Sequence, residues 1–400
     1  MMAMFRDLIG PMLKTGLLCL LFSACSSGTT SEDLPETNDD SPVSETPEET
    51  PAETPEETNF YYGADLSYVN EMEDCGATYY NADAQAEDSY QIFADAGANL
   101  VRVRLWHSPE WTSYSNFQDV KKSISRAKAA NMQVLLDFHY SDTWADPSRQ
   151  EIPAAWAAVK DNTPVLGDSL YNYTYQTLKK LKEADLLPNI VQVGNEINGM
   201  ILQQGELEWP IDWDRNAYLL NKGIQAVRDI ASQNESNIEI MLHIAQPENG
   251  LWWFEQATAN GVTNFDWIGL SYYPIWSDYN LENVSSALQT LISTYDKKLM
   301  VVETAYPFTL ENADSANNIL GEDALVDGFP ATQQGQLDYL NKLQEVIENA
   351  GGSGLVYWEP AWVSTSCSTQ WAQGSHWDNA TLFDHQNKAT LGMQFYNASK

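Results

Sequence analysis

Basic residues are scarce in this 400-residue chain, where Lys and Arg number 21 against 56 Asp and Glu, for a formal net charge of −35 at neutral pH. Phosphate binding depends on clustered Lys and Arg, so this balance excludes nucleic acid as a partner and favours a neutral ligand. Cysteine is nearly absent as well: Cys19 and Cys25 lie close to the N-terminus, which leaves Cys75 and Cys367 for the body, too few for a disulfide framework. Only five His are present and none stands with a second His or Cys at ligand spacing around His139, so no metal or other cofactor is expected for catalysis. Long hydrophobic runs are missing too. The strongest, Leu17-Leu18-Cys19-Leu20-Leu21-Phe22, is too short to remain as a membrane-spanning helix.

That short run, preceded by Arg6 and Lys14 and followed by Ser23-Ala24-Cys25, reads as a signal peptide over residues 1–24. Phe22-Ser23-Ala24-Cys25 resembles a bacterial lipoprotein box, with Phe22 where Leu is usual, which implies that Cys25 is lipidated and becomes the first mature residue. The chain is therefore expected to be exported and held by a lipid at the outer membrane or cell surface. Residues 25–58 carry the tract from Glu45 to Thr58, rich in Glu, Thr and Pro, and Ser26 to Thr58 contains no Lys, Arg or aromatic residue. Self-repelling carboxylates and prolines keep such a segment extended, so we expect a stalk that accounts for much of the negative charge.

The remainder, 59–400, is rich in Trp and Tyr and shows neither a second linker nor an internal repeat, as expected of one domain. Apolar runs predict strands at Tyr61 to Leu66, Leu100 to Leu105, Gln133 to Phe138, Ile190 to Val193, Ile238 to Ile244, Trp267 to Ser271, Leu299 to Val302 and Leu355 to Trp358. Between them, helices are expected at Ala84 to Ala96, Asp119 to Ala130, Tyr171 to Ala184, Asp214 to Ala231, Val284 to Tyr295 and Thr332 to Ala350. This alternation fits a (β/α)8 TIM barrel, an α/β single catalytic domain.

In such a barrel, working side chains gather at the C-terminal ends of the strands. Two glutamates close apolar strands there: Glu196, in Gly194-Asn195-Glu196, and Glu303, in Val301-Val302-Glu303. A carboxylate at the end of a buried strand is costly to place, and a pair of them is the equipment of glycosidic bond cleavage, with about 5 to 5.5 Å between them in retaining enzymes. Burial beside an ionised Glu303 would keep Glu196 protonated as the acid, leaving Glu303 as nucleophile. Asn195 is placed to bond the sugar hydroxyl beside the anomeric carbon, while Tyr272 and one of the strand-two arginines, Arg104 ahead of Arg102, are expected to hold Glu303 ionised. Trp106, Trp144, Trp276, Trp358 and Trp362 are candidate stacking platforms for sugar rings, Trp358 foremost, and His139 is expected to hydrogen-bond within the site.

Several long segments carry a resemblance. Gly63-Ala64-Asp65-Leu66-Ser67, Val101-Arg102-Val103-Arg104-Leu105-Trp106, Asp137-Phe138-His139-Tyr140-Ser141-Asp142-Thr143-Trp144-Ala145-Asp146-Pro147, Gly194-Asn195-Glu196-Ile197, Ser271-Tyr272-Tyr273-Pro274-Ile275-Trp276, Glu303-Thr304-Ala305-Tyr306-Pro307 and Tyr357-Trp358-Glu359-Pro360-Ala361-Trp362 resemble the signature segments of glycoside hydrolase family 53, the endo-β-1,4-galactanases. The resemblance implies a barrel acting with retention on β-1,4-galactan, the side chains of type I arabinogalactan in pectin, with Glu196 as acid/base and Glu303 as nucleophile. It also brings Asp142 into the substrate-binding set. Ser148-Arg149 and the expanded stretch Gly199 to Pro210 depart from the family pattern, which leaves the length of the products open. The competing readings are a non-catalytic glycan-binding lipoprotein and a related enzyme acting on mannan or glucan. A monomer is expected.

After Glu303, Asn312, Asp314, Ala316 and Asn318 alternate in a loop poor in apolar residues, a pattern that can present oxygen ligands to calcium. Some bacterial members resemble it and hold calcium there, with Ser366, Ser368 and Asp378 as candidate further ligands here; the ion would be structural. Cys75 and Cys367 follow the first and eighth strands, neighbours in a closed barrel, and a disulfide between them is expected.

Overall fold

The computed structural model describes residues 60–399; the expectations for 1–58, Cys25 included, lie outside the described residues. The strands are β1 (Tyr61–Asp65), β2 (Leu100–Leu105), β3 (Gln133–Phe138), β4 (Ile190–Val193), β5 (Glu239–Ala245), β6 (Trp267–Ser271), β7 (Lys298–Thr304) and β8 (Gly354–Tyr357). Each pairs in parallel with the next in chain order, and β8 closes on β1 to complete the barrel. Around it run α1 (Val69–Asp74), α2 (Ser89–Ala96), α3 (Phe117–Ala129), α4 (Thr163–Glu183), α5 (Trp213–Gln233), α6 (Pro247–Ala259), α7 (Val284–Tyr295) and α8 (Gln333–Asn349).

Local chemistry sets the helix starts. Asp88, Asn116, Asn162, Asp212 and Thr332 each accept a hydrogen bond from a backbone N–H in the first turn of the helix that follows. Asp88 is why α2 begins at Ser89 rather than at the expected Ala84, which lies in a left-handed turn with φ 58°. Helix α4 begins at Thr163, ahead of the expected Tyr171, because Pro164 is tolerated in a first turn and Gly167 serves packing. A Cβ on Gly167 would lie 2.5 Å from a Tyr218 ring carbon, so the missing side chain is what lets α4 and α5 approach. Helices α1 and α6 were not expected; in α6 the turn-like Pro247-Glu248-Asn249-Gly250 forms the first helical turn.

Strand residues alternate between two environments. Val101, Val103, Leu136, Val191, Val193, Ile240, Leu242, Leu299 and Val301 belong to the apolar shell between strands and helices. Leu100, Leu135, Ile190, Met241, Trp267, Met300, Val302 and Val356 fill the barrel's N-terminal half as a separate plug. The residues that follow in the inward series, Asp65, Arg102, Asp137, Gln192, His243 and Ser271, are all polar and buried.

Candidate active site

By strict alternation Glu303 would share the outward face of Leu299 and Val301. It does not, because β7 is irregular at this point: Leu270 of β6 pairs with Val301, and the next residue, Ser271, pairs with Glu303. Val302 remains in the inner plug, and the extra residue turns Glu303 inward after it. On the opposite side of the barrel, Gly194 and Glu196 both have positive φ, 88° and 42°, so the chain turns sharply as it leaves β4 and brings Glu196 into the same region. Both glutamates are buried, at 2% and 7% exposure.

One guanidinium organises the layer beneath them. Arg102 donates to Glu303 at 2.9 Å, Asp65 at 2.8 Å, Asp137 at 3.0 Å and Asn195 Oδ1 at 2.7 Å. Burial pushes Asp137 up, but Arg102 and His139 outweigh it and hold the carboxyl below its ordinary range. His139 Nε2 lies 3.0 Å from Asp137, while its Nδ1 accepts from Trp106 Nε1 and from the Ala145 backbone. Burial keeps this imidazole neutral against the pull of Asp137. Glu196 receives a hydrogen bond from Ser271 Oγ at 2.6 Å. Its pKa is raised far above the carboxylate range by burial and then by the charge of Glu303. Burial raises Glu303 as well, but Arg102 opposes the rise, so Glu196 is the protonated member of the pair.

Five residues expected at the substrate are engaged elsewhere in the structure. Arg104 does not reach Glu303; it pairs with Glu359 at 3.1 Å and lies against the rings of Trp144, Trp106 and Tyr68 at 4.1, 4.7 and 4.8 Å. Arg102 takes the role instead, because the strand period places residue 102 one layer deeper. Tyr272 is turned outward, its hydroxyl donating to the Tyr279 carbonyl, and it is the buried phenol of Tyr273 that feels both Glu303 and Glu196. Trp106 is buried at 2% exposure and offers no open ring face; the same holds for Trp362, stacked on Tyr68 at 4.1 Å. Asp142 braces its own loop, accepting from the backbone N–H groups of Ser108 and Ala154 with His107 beside it.

The other expected residues are less fully engaged. Asn195 Oδ1 accepts from Arg102, and among the described residues Nδ2 gives one of its hydrogens, to the Ala145 carbonyl. Trp144, Trp276 and Trp358 are half-buried, and the indole N–H of Trp144 is without a partner among the described residues. Ser271, His243, Gln192 and Tyr273 were not singled out from sequence. A strand-by-strand count of inward positions flags the first three, since Trp267, Gly269 and Ser271 share one face of β6, as do Met241 and His243 of β5.

In the loops above, Cys75 and Cys367 form a disulfide with 5.8 Å between Cα atoms. The Asn318 amide donates to Asn312 Oδ1 at 2.6 Å and Asp378 Oδ1 at 2.8 Å, while Asp314 accepts from the Ser364 hydroxyl and the backbone N–H groups of Ala316 and Ser375. Ser366 enters through its carbonyl, which accepts from Gln373.

A closed (β/α)8 barrel with an electrostatically coupled carboxylate pair at the ends of its fourth and seventh strands has the layout of a glycoside hydrolase. The family profile described as "Glycosyl hydrolase family 53" matches residues 61–396, and the chain belongs to that family. It is 55% identical over 345 residues to an arabinogalactan endo-beta-1,4-galactanase of Cellvibrio japonicus, covering 85% of this chain and 91% of the relative. It is 36% identical over 362 residues to the endo-beta-1,4-galactanase of Bacillus subtilis, covering 88% and 81%. Among solved structures, the Ignisphaera aggregans GH53 catalytic domain superposes with a TM-score of 0.78 at 32% identity, covering 86% of this chain and 96% of that one.

Proposed function

We propose that this chain hydrolyses β-1,4-galactosidic bonds in galactan side chains of pectin, with Glu303 as nucleophile and Glu196 as acid/base. Family membership and the galactanase names of its relatives support the substrate. The observation that carries the mechanism is the asymmetry of the pair: Glu303 has the Arg102 guanidinium at 2.9 Å, whereas the hydrogen-bond partner of the Glu196 carboxyl among the described residues is the neutral hydroxyl of Ser271. Glu303 attacks the anomeric carbon while Glu196 gives its proton to the departing glycosidic oxygen. The resulting ester neutralises Glu303, which removes the like charge that raised Glu196, so Glu196 can take a proton from the incoming water. Water attacks the anomeric carbon and the ester bond returns its electron pair to Glu303. The free hydrogen on Asn195 Nδ2 serves the hydroxyl beside the reacting carbon, and the open faces of Trp144 and Trp358 stack against sugar rings.

Linear β-1,4-galactan, with products followed by NMR, tests this reading. New reducing ends that first accumulate as β anomers support it, and α anomers mean inversion. Cleavage of mannan or glucan but not galactan changes the substrate, and binding without cleavage leaves a glycan-capturing protein.

We further propose that the mature chain is a monomer anchored by lipid at Cys25, with 25–58 as a stalk that brings the barrel to bulky polysaccharide; a Cys25→Ala chain that stays with membranes contradicts the anchor. A calcium ion at the loops after β7 and β8 would have to displace hydrogen bonds that the expected ligands make with one another. The Asn318 amide nitrogen donates to Asn312 and Asp378 while its buried Oδ1 is without a partner among the described residues, and Asp314 accepts from three donors. No group of three or more His, Cys, Asp or Glu able to hold a metal occurs among the described residues. These hydrogen bonds already join the two loops.

A further inference from the structure

Behind Glu196 lies a buried chain that the reaction as written does not use. Ser271 Oγ stands 2.6 Å from Glu196 Oε1 and 2.9 Å from His243 Nε2, and His243 has no solvent exposure. A serine hydroxyl has one hydrogen to give. When Glu196 is ionised both of its oxygens are acceptors, so that hydrogen must point to Oε1, and His243 must then carry its own hydrogen on Nε2 to donate to Ser271. The other ring nitrogen is left as an acceptor, and two donors face it: the backbone N–H of Glu196 at 3.4 Å and, at 3.1 Å, the Gln192 amide, which gives one hydrogen to Asp137 Oδ1 at 2.5 Å and has the Gly194 carbonyl at 3.1 Å as well. Asn195 Oδ1, 3.0 Å from the same nitrogen, shares the Gln192 amide, which lies 3.1 Å from it. Burial and then the charge of Arg102 keep His243 neutral, so it does not compete for the proton of Glu196.

We propose that Ser271, fixed by the Nε2–H form of His243, is a positioning residue that decides which oxygen of Glu196 carries the transferable proton. Oε1 is occupied by the serine hydrogen in both protonation states, as a carbonyl oxygen when Glu196 is the acid and as half of the carboxylate when it is the base. The proton is therefore confined to Oε2. It leaves Oε2 for the glycosidic oxygen as the bond to the leaving sugar breaks, and it is replaced on Oε2 from the water that attacks the galactosyl ester. The hydrogens of Ser271 and His243 stay in place throughout. The inference rests on the acid/base role proposed for Glu196.

Removing the serine hydrogen withdraws a donor from the ionised form, so the pKa of Glu196 rises and the alkaline limb of activity moves upward. The other groups facing Glu196 are Glu303 from β7, Arg102 from β2, Asp146 from the loop after β3, Tyr273 after β6 and His243 from β5, and all remain in a Ser271→Ala chain. For Ser271→Ala we expect kcat/KM on galactan to fall about 10- to 100-fold with KM little changed, and the alkaline limb to rise by about one pH unit. On an aryl galactooligosaccharide with a nitrophenyl leaving group, which departs without protonation, kcat/KM should fall less than about threefold. Ser271→Thr should restore both readouts. His243→Gln, which leaves Ser271 in place, should move the limb the same way by less, and melting curves confirm that each variant is folded. Equal losses on both substrates, or an unmoved limb in folded Ser271→Ala, overturn the proposal. Glu196→Gln measured alongside separates the two readings: if it keeps near wild-type activity on galactan, the acid/base assignment falls and the positioning role with it.

Discussion

The two halves of the barrel interior are built on the same strands with the same inward period, yet they obey opposite rules. The N-terminal half is a plug of Leu100, Leu135, Ile190, Met241, Trp267, Met300, Val302 and Val356, with Tyr61 packed against it. One layer further along, the inward positions carry Asp65, Arg102, Asp137, Gln192, His243 and Ser271, none of them more than 1% exposed. An apolar plug stabilises by burial and by close packing, with little dependence on pH. The polar layer is costly to bury and persists because nearly every atom has a partner: Arg102 alone serves three carboxylates and the amide oxygens of Asn195 and Gln192. The comparison teaches that chemistry is confined to one layer along the strand axis, so that a substitution in the plug should change stability alone while one in the polar layer should change activity.

The largest expected effect lies in the upper layer. Glu303→Gln should lower kcat on galactan by at least about a thousandfold with the melting temperature nearly unchanged, since it removes a covalent role that no neighbour fills. Activity within tenfold of wild type would break the distinction. Arg102→Lys comes next. A single ammonium cannot serve Glu303, Asp65, Asp137 and Asn195 together, so we expect kcat to fall about a hundredfold and stability by roughly 3 kcal/mol, read by denaturant titration. In the lower layer, Leu135→Ala should cost about 2–5 kcal/mol by cavity formation while leaving the shape of the pH profile intact in the folded fraction. A changed profile would show that the halves are coupled.

A smaller effect sharpens the electrostatics. Burial and Glu303 raise Glu196, so the folded chain holds that proton more tightly than the unfolded chain does. Its contribution to stability is present below the ordinary carboxylate range and is lost as pH rises through the folded value. Glu196→Gln, which cannot ionise, should therefore melt higher than wild type at alkaline pH, with the difference shrinking toward pH 4; an equal difference at all pH values contradicts the raised pKa. Smallest of all, excess EDTA should leave the melting curve unchanged, because Asn318, Asp378 and Asp314 tie the loops after β7 and β8 with hydrogen bonds. A lowered melting temperature that calcium restores would return the ion to that site.

Strand order, barrel closure and the position of both glutamates were legible in the sequence, because β-prone runs separated by helical stretches leave few other topologies. What was not legible depended on side-chain direction. Arg104 was chosen over Arg102, and Tyr272 was named without Tyr273, because nearness to a strand end says nothing of which face a residue takes. The alternation along β2 was readable and favoured Arg102 as the deeper inward residue, whereas Tyr273 lies past the end of β6, where the period no longer applies. The inward turn of Glu303 was hidden for a different reason: it depends on an irregularity in β7 that only the pairing with β6 reveals. Helix α6 was missed because Pro247, Asn249 and Gly250 favour turns locally, and packing of Trp253 and Phe254 into the core overrides that preference.

The central claim is that Glu303 forms the covalent bond to the sugar and Glu196 moves the proton. An activated 2-deoxy-2-fluoro galactooligosaccharide slows the release of the galactosyl ester, so digestion and mass spectrometry of the inactivated protein report where the sugar is attached. The account predicts one added fluoro-galactooligosaccharyl group on the peptide that contains Glu303, and no such adduct in a Glu303→Gln chain. A label on the peptide containing Glu196, or turnover of galactan with inversion and no trapped ester, would contradict it.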